Sequence, residues 1–355
     1  MSRTLIALSI SVTLMGGTSS ADTPQVVTDI APVHSLVARV MEGVGAPELI
    51  VQPGASPHEY SLRPSEASAL QDADIVFWIG PDLTPWLTDT IETLAPDADV
   101  TTLLELDKTI ELEFRESALF EAHDHDDHGD DEHDNHDDHD DHDDHDGNHG
   151  EEAHEDHDDH DDEEKDHADH DDDHEGHDDH EAHGHGAHDP HAWLSPKNAM
   201  TWLNVIAGEL SAADPDNAGA YFANAAAGRA EMESLVGEVN TTLEPVRDGQ
   251  FIVFHDAYQY FENDFDFPAS GAISLSDASD PSPARIAEIQ VRIAEEGIDC
   301  VLAEPQFNPG LVATVLDGTE AKTGILDPLG SELEPGSALY SQLIRNLSIA
   351  LAGCM

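Results

Sequence analysis

The residues with the most chemistry in this chain are its histidines. There are 24, and all but His34, His58, His191 and His255 fall within residues 123–188. That stretch repeats the triplet Asp-Asp-His, first at Asp126-Asp127-His128, and carries 33 Asp or Glu against a single lysine, Lys165. Neutral imidazole is a good ligand for zinc, copper and nickel, while carboxylates draw cations close. An acidic run alone is an ordinary solvated tail. One this rich in imidazole points to capture of transition metals. The stretch has no Leu, Ile, Val, Phe, Trp or Tyr. Nothing in it offsets an ordering entropy of roughly 1–2 kcal/mol per residue, so it is expected to be disordered. The triplet is a compositional repeat, not a structural unit.

Three of the four remaining histidines sit where a folded site would form. His58 lies in Pro-Gly-Ala-Ser-Pro-His-Glu-Tyr, just past the apolar run Glu48–Val51. His255 directly follows the run Phe251–Phe254, and His191 stands between Pro190 and Trp193, where the insert rejoins the chain. Asp327 also ends a short run, in Gly-Ile-Leu-Asp-Pro. Open α/β sheets bind ligands beyond the carboxyl ends of their strands, which is where His58 and His255 fall. No compact ligand spacing and no HExxH occurs, so each histidine alone reads as readily as a structural residue. His34 lies within a helical pattern and is taken as structural or supporting.

The elements that must position these residues alternate strand with helix. Strands are expected at Gln25–Thr28, Glu48–Val51, Ile75–Ile79 and Val100–Leu103, with helices at Pro32–Met41, Pro64–Gln71 and Leu83–Thr93. After the insert come helices over Asn198–Leu210 and about Asn217–Leu243, the second long enough to act as a rigid spacer. The rhythm then repeats with strands at Phe251–Phe254, Gly271–Leu275, Cys300–Ala303 and Gly324–Leu326. Helices are expected at Tyr258–Asp264, Pro283–Glu296, Pro309–Leu316 and Ser337–Ala352. Short apolar runs bounded by Gly and Pro between helical patterns indicate βαβ units and parallel sheets. Two α/β lobes joined by a single long helix is the architecture this order implies.

At 355 residues the chain is long enough for two cores. Its net charge of −64 excludes nucleic acid as a partner, since such binders neutralise phosphate with Lys and Arg. Arg3, the apolar run Leu5–Met15 and the small residues Ser19-Ser20-Ala21 read as a cleaved export signal. The run is too short to span a membrane, which takes about 20 apolar residues. An exported protein, most simply periplasmic, with no direct membrane insertion, is the expectation. In that oxidising compartment the two cysteines, Cys300 and Cys354, are expected to pair; thiolate metal ligation lacks the paired spacing of a Cys site.

Four stretches carry a family resemblance. They are Pro-Gly-Ala-Ser-Pro-His-Glu-Tyr-Ser-Leu-Arg-Pro-Ser, Asp-Pro-His-Ala-Trp-Leu-Ser-Pro, Phe-His-Asp-Ala-Tyr-Gln-Tyr-Phe and Ala-Glu-Pro-Gln-Phe. In this order they resemble the metal-specific solute-binding proteins of ABC importers (cluster A-I, or cluster 9), and among them the periplasmic zinc-binding type. The resemblance covers residues 22–121 and 186–355. It implies two lobes, each with a four-stranded, mainly parallel sheet flanked by helices, and a metal between them. It also implies zinc held by His58, His191 and His255, with Glu59, Asp327 or water as the fourth ligand, a Cys300–Cys354 disulfide, and no catalysis. Trp193 and Tyr60 are expected around the site. The implied division is a signal peptide over 1–21, an N-terminal lobe over 22–121, the insert over 122–188 and the end of that lobe over 189–216. A linking helix over 217–246 and a C-terminal lobe over 247–355 complete it. The implied function is delivery of Zn2+ by a monomer to a membrane permease, the insert serving as a secondary collector. Manganese, iron or another divalent metal as cargo, or a zinc buffer with no transporter, are the competing readings.

Deleting His123–His188 is expected to remove several weak zinc sites and leave one tight site, read by calorimetry. Imidazole binds only when neutral, so uptake by the insert should fall as pH drops through about 6.5. Loss of the tight site with the insert, or uptake flat across that midpoint, would contradict this division of labour.

Overall fold

The structure is a computed structural model that describes residues 23–115, 120, 188–274, 281–307 and 309–355. The expected leader and all of the His/Asp-rich insert except His188 lie outside the described residues. The first half lays down β1 (Val26–Thr28), α1 (Ala31–Val40), β2 (Glu48–Leu49), α2 (Pro64–Gln71), β3 (Ile75–Trp78), α3 (Pro85–Leu94) and β4 (Asp99–Thr102). Two long helices follow, α4 (Pro196–Ala213) and α5 (Ala218–Leu243). The second half adds β5 (Phe251–His255), α6 (Gln259–Phe265), β6 (Gly271–Ser274), α7 (Pro283–Glu296), β7 (Cys300–Ala303), α8 (Pro309–Leu316), β8 (Lys322–Ile325) and α9 (Leu339–Cys354). Proline in the first turn of α1, α2, α3, α4 and α7 presets the helical φ where no N–H partner is needed.

Both sheets have four strands and every pairing is parallel, so the expected "mainly parallel" sheets are wholly so. The first runs β2-β1-β3-β4 and the second β6-β5-β7-β8. Each therefore reverses its winding at an inner pair, β1/β3 and β5/β7, and opens a crevice at the carboxyl ends there. In the first sheet that position is closed by Asp29, directly after β1. Its Oδ1 accepts from the Ile30 N–H at 2.7 Å and its Oδ2 from the Ile79 N–H at 2.7 Å. Burial pushes the Asp29 carboxyl up to about 7, against the opposing pull of those backbone donors. In the second sheet the equivalent position, the end of β5, is His255.

The strands bury alternate faces in different cores. Phe251 and Val253 join a core that runs through α1, α4, α5 and α9 to the first sheet; Ile252 and Phe254 face a smaller one with Ile289, Ile293, Val312 and Val315. Helix α5 spans 26 residues, roughly 39 Å at 1.5 Å per residue. Its buried positions, Tyr221, Ala225, Gly228, Met232, Leu235, Val239 and Leu243, recur every three or four residues along one face. At Gly228 a Cβ would come 3.1 Å from the Leu203 side chain of α4 and 3.4 Å from that of Arg39 of α1, so the three helices pack closely at this glycine. Helix α9 returns from the second half onto the first. The Tyr340 N–H donates to Ser35 Oγ at 2.9 Å and its hydroxyl to the Trp193 carbonyl at 2.8 Å.

The expected disulfide is present. Cys300 of β7 joins Cys354 of α9 across 54 residues, with Cα atoms 5.8 Å apart. A loop of that size contributes on the order of 4 kcal/mol in the chain-entropy model. Differences from the expected elements are small and physical. Strand β8 starts at Lys322, not Gly324, because an edge strand with an exposed face needs no apolar run. Helix α4 starts earlier, at Pro196, because the Ser195 hydroxyl caps it by accepting from the Asn198 N–H.

Asp29→Ala removes the acceptors that, among the described residues, serve two backbone donors inside the first lobe. It should cost about 2–5 kcal/mol of stability in urea unfolding, and an unchanged midpoint would refute this account of Asp29.

Candidate metal centre

His58, His191 and His255 come from three separate elements and line one narrow cleft. His255 is the last residue of β5 and only 3 % exposed. Its Nδ1 lies 2.6 Å from Glu304 Oε1, and the same oxygen accepts from its backbone N–H at 3.3 Å. Glu304 follows β7, the neighbour of β5 at the switch point, so parallel pairing itself sets this contact.

His191 opens the short turn Ala192–Leu194 ahead of α4. Its Nδ1 lies 2.7 Å from Asp189 Oδ1, which also accepts from the His191 N–H at 3.0 Å. Asp189 is held in turn, its N–H donating to the Leu112 carbonyl and its carbonyl accepting from the Tyr260 hydroxyl at 2.7 Å. Burial pushes the Asp189 carboxyl up to about 7, opposed by the His191 N–H and the charges of Arg115 and His255. Asp256, beside His255, is likewise raised to about 7 by burial. Arg115 crosses from the first half to reach Asp256 at 3.1 Å and Glu262 at 2.6 Å.

Where Asp189 and Glu304 are ionised they accept from Nδ1, which turns the Nε2 edge of each ring to the cleft. The two Nε2 atoms face each other at 3.3 Å, a separation at which either a shared proton or a metal ion can join them. His58 lies on the other side, its ring centroid 5.6 Å from that of His191. It is carried by the loop after β2, where Trp86 of α3 donates to the Pro57 carbonyl at 2.7 Å. Among the described residues no three His, Cys, Asp or Glu side chains form a finished metal cage. The pair His191–His255 is preformed, and His58 stands apart.

Apolar groups wall the cleft. Trp193 packs 5.2 Å from His191, and Phe307 sits 5.4 Å from His255 while stacking on Phe254. Tyr60, expected here, instead packs on Trp86 and donates to Glu66. Neither Glu59 nor Asp327 lines the cleft. Glu59 is exposed. Asp327 turns into its own loop, its oxygens accepting from the Leu329, Gly330 and Ser331 N–H groups and the Ser331 hydroxyl. His34 Nε2 donates to the Pro47 carbonyl, 3.1 Å away, as a structural residue does. Asp189 and Glu304 were not singled out from sequence. Two signals pointed to them: Asp189 stands two residues before His191, and Glu304 ends the strand beside the one bearing His255.

Residues 26–354 match the family of the periplasmic zinc-uptake complex component A. The chain belongs to the ZnuA family. It is 47% identical over 340 residues to the high-affinity zinc uptake system protein ZnuA of Brucella abortus, covering 96% of this chain and 94% of that one. The ZnuA protein of Paracoccus denitrificans is 46% identical over 336 residues, covering 94% and 93%. A crystal structure of ZnuA shares the fold at a TM-score of 0.66 with 19% identity, over 94% of this chain and 99% of the other. The solute-binding protein FpvC of Pseudomonas aeruginosa, solved with Mn2+, matches at 0.67 with 18% identity, over 94% and 98%. ZnuA membership makes the chain a periplasmic transport component and not an enzyme. Among the described residues no helix is long and apolar enough to cross a membrane.

Proposed function

We propose that this chain captures Zn2+ as cargo in the cleft between its sheets, on His58, His191 and His255, and passes it as a monomer to a membrane permease of an ABC importer. The observation that carries the reading is the 3.3 Å between Nε2 atoms whose partner nitrogens are both engaged by buried carboxylates. Two imidazoles on a tetrahedral zinc, each about 2.0–2.1 Å from the ion, stand about 3.3 Å apart. Carboxylates behind ligating imidazoles fix the ring and raise its basicity, the usual outer support of zinc sites. Manganese favours oxygen donors. Here the nearby carboxylates of Asp189 and Glu304 are turned to the backs of the rings, and nitrogen faces the cleft.

His58 completes the protein ligands by a local movement of its loop. Helix α5 is packed along its length, so a wide hinge opening is not the expected mode. Water takes the fourth position, because Asp327 is saturated by its own loop and Glu59 faces solvent. The histidine-rich insert acts as a secondary collector, raising the local concentration of exchangeable zinc beside a tight site. Its return end supports this: His188 precedes Asp189, the residue that orients His191.

Replacing His58, His191 and His255 together by Ala, with the insert intact, should abolish the tightest zinc retention in a chelator competition. A triple variant that holds zinc as firmly as the parent would end this reading. Glu304→Gln and Asp189→Asn should each weaken zinc binding about 10–100-fold without removing a ligand. Parental affinity in both would show that the carboxylates do not support the rings.

A further inference from the structure

One polar side chain in the cleft has no role in the account so far. Gln306 lines the same cavity as the three histidines, in the turn that follows β7. That turn is closed by the Phe307 N–H donating to the Glu304 carbonyl at 3.3 Å, so Gln306 sits two residues beyond the carboxylate that holds His255. Both Gln306 Oε1 and Nε2 are buried, and among the described residues neither has a hydrogen-bond partner. A buried polar atom left unpaired costs about 1–3 kcal/mol, so two on one side chain call for a partner that arrives with the ligand.

The zinc reading supplies such a partner. With three imidazoles as protein ligands, a tetrahedral ion keeps one position for solvent. A water on the ion carries two protons, and polarisation by the metal makes it a strong donor. An amide oxygen is a good acceptor for it, and a glutamine is too weakly basic to remove the proton. The other polar side chains on the lining are engaged, Ser56 Oγ by the His58 N–H at 3.3 Å and Glu304 by His255, and the rest is Pro57, Trp193, Phe307, Pro328 and Leu329.

We propose that Gln306 is a positioning residue that holds the water completing the coordination of the bound zinc, and thereby sets how firmly the ion is retained. The inference rests on the three-histidine zinc reading. Gln306 does not touch the ion; it acts through the water.

Gln306→Met keeps nearly the same length and removes both hydrogen-bonding groups; Gln306→Glu restores an acceptor. Zinc affinity by chelator competition, the visible ligand-field bands of the cobalt-loaded protein and the melting temperature of the metal-free protein separate the outcomes. The Met variant should bind zinc about 10-fold more weakly, shift the cobalt bands, and melt metal-free at or above the parental temperature. The Glu variant should return affinity to the parental level or above. Parental affinity and parental cobalt bands in the Met variant would overturn the proposal. So would a metal-free melting point that falls along with affinity, since that marks a purely structural role. A triple-histidine variant that still retains zinc would instead overturn the underlying site, independently of Gln306.

Discussion

His191 and His255 bring their Nε2 atoms within 3.3 Å of each other, and they hold that arrangement because a buried carboxylate grips each ring from behind. Turning either ring would break a short hydrogen bond inside a low-dielectric pocket. The penalty for leaving Asp189 or Glu304 unpaired there is what keeps the nitrogens aimed inward. The rest of the architecture serves to place those two carboxylates. Glu304 is delivered by the β5–β7 pairing, and Asp189 is clamped by Tyr260 of α6 and the Leu112 carbonyl.

The three histidines proposed as ligands differ in how firmly they are held. His255 ends a central strand, braced on one side by a shared core and on the other by a smaller one. His191 sits at the start of a capped helix whose hydroxyl cap, Ser195, is itself tied to Asp264 at 2.7 Å. His58 rides on a loop between Pro53 and Pro64, with Trp86 as its anchor. A firmly held pair with a third histidine on a loop fits the proposed carrier role, in which an ion is both captured and surrendered.

Much of this was legible in the sequence. Short runs between helical patterns marked all eight strands, several of them apolar and closed by Gly or Pro, and prolines marked most helix starts, because these are local chemistry. His58 and His255 were visible as strand-end residues for the same reason. What could not be read was which side chains stand behind the rings. The Glu304–His255 contact spans 49 residues and exists only because β5 and β7 are neighbours. Asp327 shows the converse: it too ends a strand, yet the Asp-Pro-Leu-Gly-Ser that it opens is turn chemistry, and its carboxylate folds back on that turn. Tyr60 lies only two residues from His58 but points to Trp86 and Glu66, a choice of direction that spacing does not encode.

Glu113 and His188 form an antiparallel bridge, so the departing and returning chain are fastened side by side just before the segment between them begins and just after it ends. Closing a loop between fixed neighbours grows only logarithmically with its length, about 0.6 kcal/mol per doubling. His191, three residues past the second post, is therefore held at its place in the fold by the bridge itself, whatever the length of chain between the posts.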